Sequence, residues 1–270
     1  MSRLPTYAIS HGGGPWPWIK DLMPVDWEPL ETALAAIPGE LPTRPRAILM
    51  ISGHWEAPVF TVQTNPRPGM VYDYGGFPAF TYEITYPSPG APDVAERVVE
   101  LLDGAGLPTA RDAERGYDHG VFAPMQVIRP EADIPVLQLS MQHGYDPAAH
   151  LEAGRALAPL RDEGVLIVGS GYPSFHDLSK MGPQSAEPSR TFDTWLTETM
   201  VERRGDDRTE RLLAWEHAPA ARLAHPREDH FIPLLVAVGA AEHDDGFRHY
   251  HEAGAMGSTT SSGYRLGAAA

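Results

Sequence analysis

The stretch RAILMISGHWE, residues 46–56, decides how the rest of the chain is read. Five apolar side chains follow one another from Ala47 to Ile51, and then come Ser52, Gly53 and His54. An apolar run of strand length without alternation belongs to a strand buried on both faces, the habit of parallel sheets in α/β folds. A histidine just past such a strand lies at its carboxyl end, where open α/β sheets place their ligands.

Working outward, YAIS (7–10), IPVLQLS (134–140) and VLIVGS (165–170) read as strands of the same kind, and VFTVQT (59–64) alternates like a half-buried one. Helical spacing fills the intervals at 26–37, 93–106, 146–164, 192–204 and 230–241. Asp93 and Asp146 stand where N-caps belong, and glycines stand at the stops. The tail GSTTSSGYRLG (257–267) reads as an edge strand. The chain shows no repeat and no low-complexity linker. The expectation is a single α/β domain over 1–270, with a mostly parallel central sheet flanked by helices and the active site at the carboxyl ends of the strands.

A net charge of −15 argues against nucleic acid and anionic membranes as partners. With no cysteine, disulfides, thiolate metal sites and cysteine nucleophiles are excluded. The first residues lack the apolar core of a signal peptide, and no run is long enough for a membrane span, so a cytoplasmic location is expected. Any transition metal must be held by His, Asp and Glu, and there are twelve histidines.

Four strand runs end in histidine: His11, His54, His143 and His176. Asp118-His119-Gly120 and the HPREDH segment (225–230) add further candidates. His150 and His217 fall on helical patterns and read as surface residues. His243, His249 and His251 lie in the strongly polar EHDDGFRHYHE. His11 opens HGGG, a run that serves esterases, phosphate loops and metal sites alike. An esterase needs a serine in G-x-S-x-G, and Gly169-Ser170-Gly171 misses that spacing. A phosphate loop needs a Lys-Ser/Thr pair or the G-x-G-x-x-G spacing, and the run has neither, with no basic cluster nearby apart from Lys20. Metal binding remains, with His11 and His54 leaving adjacent strands toward one cation and a third ligand drawn from HPREDH. Imidazole ligands suit zinc and iron alike.

The segments SHGGGP (10–15), SGHWE (52–56), YDYGGFP (72–78), YEITYPSPGAP (82–92), RGYDHGVFAP (115–124), PEADIPVLQLS (130–140), GSGYPSFHDL (169–178) and HPREDHFIPLL (225–235) together resemble the class III extradiol aromatic ring-opening dioxygenases, in the branch similar to DOPA 4,5-dioxygenase. They follow the family's order over nearly the whole chain. The resemblance implies an enzyme that opens a catechol-type aromatic ring with O2 to a muconic semialdehyde. It implies His11, His54 and His230 as metal ligands, Fe(II) as the working metal and Zn(II) as an alternative occupant. His176 is then the general base, with an ordinary pKa of about 6.5, or a fourth ligand, and His119 a second proton-handling residue. The protocatechuate-cleaving branch uses a carboxylate as third ligand. This chain has His230 there beside Glu228 and Asp229, which leaves the third ligand open. Asp177 stands where relatives often carry Asn.

Trp16, Trp18, Trp55, Tyr72, Tyr74, Phe77, Tyr172 and Phe175 are candidate walls for a flat aromatic diol. Arg115 and Arg227 are the candidates to hold a substrate carboxylate. The partners expected are the diol and O2, in a monomer or homodimer. Two other readings stand beside this one: a zinc-dependent hydrolase on the same histidines, and an inactive homologue that binds metal or ligand.

Overall fold

The computed structural model describes residues 3–180 and 182–270. Met1, Ser2 and Met181, within the single-domain span expected from sequence, lie outside the described residues. Eight strands form one sheet: β1 (Thr6–Ser10), β2 (Ala47–Ala57), β3 (Phe60–Gln63), β4 (Thr109–Asp112), β5 (Val136–Gln142), β6 (Val165–Gly171), β7 (Gly246–Ala255) and β8 (Thr259–Leu266). Their order is β4-β3-β5-β2-β6-β1-β8-β7. The middle four, β5-β2-β6-β1, are parallel. β3 and β4 pair in parallel with each other, but β3 runs against β5, and the β7–β8 hairpin joins β1 antiparallel.

The unbroken apolar run of β2 has the expected cause. Ile48 and Met50 point into one core with Leu30, Leu34 and Phe122, while Leu49 and Ile51 point into another with Val98, Leu151 and Leu235. Strand side chains alternate faces, so a strand with helices on both sides must be apolar at every position. The first face is covered by α1 (Trp16–Ile19), α2 (Glu28–Glu40) and α4 (His119–Ile128). The second is covered by α3 (Pro92–Gly104), α5 (Pro147–Leu157), α6 (Ala186–Glu202), α7 (Asp206–Leu213), α8 (Ala221–Ala224) and α9 (Ile232–Ala240). Every residue of α9 is buried, as an all-round apolar helix requires. It touches α5 backbone to backbone: a Cβ on Gly239 would lie 2.1 Å from the Leu151 carbonyl oxygen.

The structure changes several sequence expectations. The tail strand β8 is not an edge, because β7 pairs with its outer side. The polar EHDDGFRHYHE run supplies that edge strand, where charged side chains discourage further pairing. Asp93 does not cap α3; the helix starts at Pro92, and the Asp93 carboxylate instead accepts from Arg46 at 3.1 Å. His150 is fully buried rather than on the surface. Its Nδ1 donates to the Asp146 carbonyl at 2.7 Å and its Nε2 accepts the Gln142 N–H at 3.1 Å. β1 and β2 are not neighbours, since β6 lies between them. No helix among the described residues is long and apolar enough to cross a membrane.

Candidate metal centre and active site

β6 separates the strands that carry His11 and His54, yet the two imidazoles stand 4.9 Å apart, centroid to centroid. The reason lies in how β6 ends. Gly169-Ser170-Gly171 offers no bulky side chain, and the backbone of His230 occupies the space left: a Cβ on Gly171 would sit 2.2 Å from the His230 carbonyl oxygen. The same strand end grips both neighbours. Gly171 O accepts the His11 N–H at 3.1 Å, and Tyr172 N–H donates to His230 O at 3.0 Å. β2 contributes by running past its apolar core, with a register shift between Ile51 and Glu56 that carries His54 beside the end of β6.

His11, His54 and His230 each offer one nitrogen to a cluster whose ligand atoms lie within 4.8 Å of one another. Their orientations share a pattern. His11 Nδ1 donates to Gly12 O at 2.7 Å, which leaves a buried Nε2 with no hydrogen-bond partner. His54 Nδ1 lies 3.2 Å from Asp73 Oδ2 without the alignment of a hydrogen bond, and its Nε2 faces that of His230. His230 Nδ1 lies 3.2 Å from Asp229 Oδ1 without the alignment of a hydrogen bond. Its Nε2 is 3.1 Å from His54 Nε2. Two nitrogens each about 2.1 Å from one ion, at angles between octahedral and tetrahedral, would be about 3.0–3.4 Å apart. Burial, reinforced by neighbouring imidazoles, pushes the pKa of all three well below the usual histidine value. They are therefore neutral near pH 7, the form that binds a cation. The residues fit a divalent transition metal. Glu228, by contrast, is taken by Arg222 at 2.7 Å and belongs to none of the ligand clusters.

Two further imidazoles flank this centre. His176 stacks on His230 with centroids 3.4 Å apart. Burial pushes its pKa down to about 4, so the ordinary value expected from sequence does not hold here. His119 opens α4 with its centroid 3.9 Å from that of His54. Its Nδ1 donates to Asp73 Oδ1 at 2.7 Å, and its backbone N–H reaches the same oxygen at 3.1 Å. Asp73 thus holds His119 with one oxygen and sets the other 3.2 Å from His54 Nδ1. Burial raises its pKa, but the bonds from His119 outweigh that and keep it below the usual carboxylate value.

A cavity of about 340 Å³ is lined by these five histidines together with Gly12–Gly14, Asp73, Tyr74, Phe77, Tyr172 and Phe175. Met23, Met256, Thr259 and Ser261 complete it, the last three from the β7–β8 hairpin. The remaining sequence candidates lie elsewhere. Trp16 is buried behind the glycine run, stacked on Trp27 at 5.0 Å, and its Nε1 donates to His11 O at 2.8 Å. It supports the first ligand's loop and does not wall the cavity. Trp55 lies under the Arg115 guanidinium at 4.9 Å. Tyr72 donates to Ile84 O at 2.7 Å, and Trp18 packs on Phe122. His143 is exposed at the far end of β5. Asp73, Met23, Met256, Thr259 and Ser261 escaped sequence reasoning. Asp73 had a signal, a lone carboxylate inside the aromatic, glycine-rich YDYGGFP; the others come from segments with no chemical motif.

Residues 26–267 match the family model described as the catalytic LigB subunit of aromatic ring-opening dioxygenase. Among curated proteins, a 4,5-DOPA dioxygenase extradiol of Portulaca grandiflora is 43% identical over 210 residues, 74% of each chain. One of the same name from Escherichia coli K12 is 32% identical over 98% of this chain and 96% of its own. A protein named Dioxygenase tasH from Hapsidospora irregularis is 38% identical over 93% of this chain and 82% of its own. The crystal structure of an uncharacterized Escherichia coli K12 protein superposes with a TM-score of 0.75 at 28% identity, covering 98% of this chain and all of that one.

Proposed function

From the premise that this chain belongs to the LigB family of aromatic ring-opening dioxygenases, and is therefore an extradiol ring-cleaving oxidoreductase, we propose that it opens a catechol with O2 to a muconic semialdehyde on Fe(II) held by His11, His54 and His230. The observation that carries this reading is the convergence of three neutral imidazoles at an aromatic-lined cavity, with two more imidazoles beside them. A ferrous ion held there supplies a single centre on which diol and O2 can be brought together.

The protein's own part is positioning and proton handling. Gly12–Gly14 line the cavity beside His11, and Gly12 and Gly14 lack side chains because Trp16 and Phe77 fill that space, a Cβ there lying 2.2 Å and 2.8 Å from those rings. Phe77, Tyr74 and Tyr172 exclude water from the ring. Asp73 fixes His119 with its proton on Nδ1 and leaves Nε2 to accept a phenolic proton. His176, with its pKa pushed to about 4, is also unprotonated near pH 7, so the proton given back to the opening ring is one that His119 or His176 has first taken from the diol.

The test is anaerobic loading with Fe(II), addition of a catechol panel, and measurement of O2 uptake and of a yellow ring-opened product. Uptake with at least one catechol, matched by product, is expected. No uptake with any catechol, alongside ester or amide hydrolysis by the zinc form, refutes the reading.

A further inference from the structure

We infer that the ring substituent this cavity accepts is uncharged and apolar, so that catechols bearing a free carboxylate are disfavoured; the inference rests on the ring-opening reading above. Among the described residues, the cavity lining contains no lysine and no arginine. The two arginines that the sequence offered for a carboxylate are committed elsewhere. Arg115 Nη2 is bonded to the buried Asp118 at 2.8 Å, with its plane over Trp55. Arg227 is bonded to Glu56 at 2.8 Å and to the Tyr145 hydroxyl at 2.6 Å. Lys20, the nearest lysine to the glycine run in sequence, is paired with Glu31 at 2.6 Å.

The charge the lining does carry has the wrong sign for an anion. Asp73 is its one carboxylate, already engaged by His54 and His119. Thr259 and Ser261 bring neutral hydroxyls, and that of Thr259 donates to Ala255 O. Away from the histidines the walls are apolar: Phe77 edge-on to Tyr74 at 5.5 Å, Phe175, and the thioethers of Met23 and Met256. Met256 is held in the hairpin turn at φ 52°, with its Cε 3.7 Å from where a Cβ on Gly13 would stand. Methionine adapts its shape to alkyl and aryl groups without offering them a charge. A carboxylate on the ring's substituent, entering this space, loses water and finds no cationic side chain, an unfavourable transfer. The net charge of −15 repels the same anion at longer range.

A matched pair isolates charge from shape: 3-(3,4-dihydroxyphenyl)propanoate and its methyl ester. Anaerobic calorimetric titration of the Fe(II)-loaded protein reads binding without turnover, and O2 uptake reads kcat/KM. The ester is expected to be favoured in both by on the order of 10²-fold, about 2.7 kcal/mol at 1.36 kcal/mol per decade. Met256→Lys, or Met23→Lys if the first does not fold, should narrow that ratio at least tenfold by supplying the missing cation. Equal or tighter binding of the acid by the parent protein overturns the inference. If no catechol consumes O2, the ring-opening reading fails instead, and the anaerobic binding ratio still decides the preference for charge.

Discussion

Replacing Gly171 with alanine tests how the metal centre is held together. Gly171 O holds the His11 N–H, and the next residue holds the His230 carbonyl. An added Cβ would lie 2.2 Å from that carbonyl oxygen, whereas ordinary contact begins at 3.4 Å, so the His230 backbone must retreat by about 1.2 Å. Displacements of about 1 Å within a reacting site cost on the order of 10²-fold, and overpacking costs about 1–3 kcal/mol of stability. The expected result is a folded protein with a lower Tm whose Kd for Fe(II) or Zn(II), read against a chromophoric chelator, rises on the order of 10²-fold. Gly154→Ala separates strain from ligand geometry. Its Cβ would lie 2.3 Å from Val236 O, in the crossing of α5 and α9. That variant should lose stability and keep metal affinity close to the parent's. A folded Gly171→Ala protein that binds metal like the parent would falsify the claim that this strand end sets the position of His230.

Further outcomes follow from the same geometry. Asp73→Asn removes the carboxylate that accepts from His119 and lies against His54, so metal affinity should fall by about 10–100-fold and kcat with it; a variant unchanged in both refutes its role in holding the two imidazoles. His11→Ala and His54→Ala should each abolish metal retention on gel filtration followed by elemental analysis. His176→Ala should keep most of the metal and lose turnover, and complete release of metal from it would mark His176 as an essential ligand. His150, buried and neutral, has its pKa pushed by burial from 6.5 to about 4. The unfolded chain therefore takes up a proton that the folded chain refuses. The stabilisation is whole above pH 6.5 and declines by about 3 kcal/mol as pH falls toward 4. Urea unfolding between pH 7 and 4.5 should show this slope, shallower by nearly one proton in His150→Gln; an identical slope in both proteins contradicts it.

The architecture was legible because burial leaves its mark on every position of a strand. Ala47–Ile51 and Val165–Val168 have no polar residue, which only two helix-covered faces explain. Strand order was not legible, since apolar runs are interchangeable as neighbours, and β6 between β1 and β2 is a matter of packing. The position of β8 was hidden for another reason: a polar stretch such as residues 246–252 has a strand's backbone but not its pattern when one side faces water. The histidines of the site could be nominated from their strand ends. The aromatic walls could be nominated only in part: Tyr74, Phe77, Tyr172 and Phe175 line the cavity, but Trp16, Trp55 and Tyr72 are as useful behind a loop as in front of one. Their hydrogen bonds and stacking partners, set by the tertiary fold, decide which.

The pairing of β1 with β8 has a consequence for how this protein comes to exist. His11 is made before His230 and the hairpin carrying Met256, Thr259 and Ser261, which follow it by more than two hundred residues. Thr6, on the first strand, even bonds its hydroxyl to Ala237 O on the last helix. Contacts of such span form late and slowly. A nascent chain therefore carries an incomplete set of imidazoles until the segment with His230 has been made. A complete set of three imidazoles is thus reserved for chains that have closed their sheet.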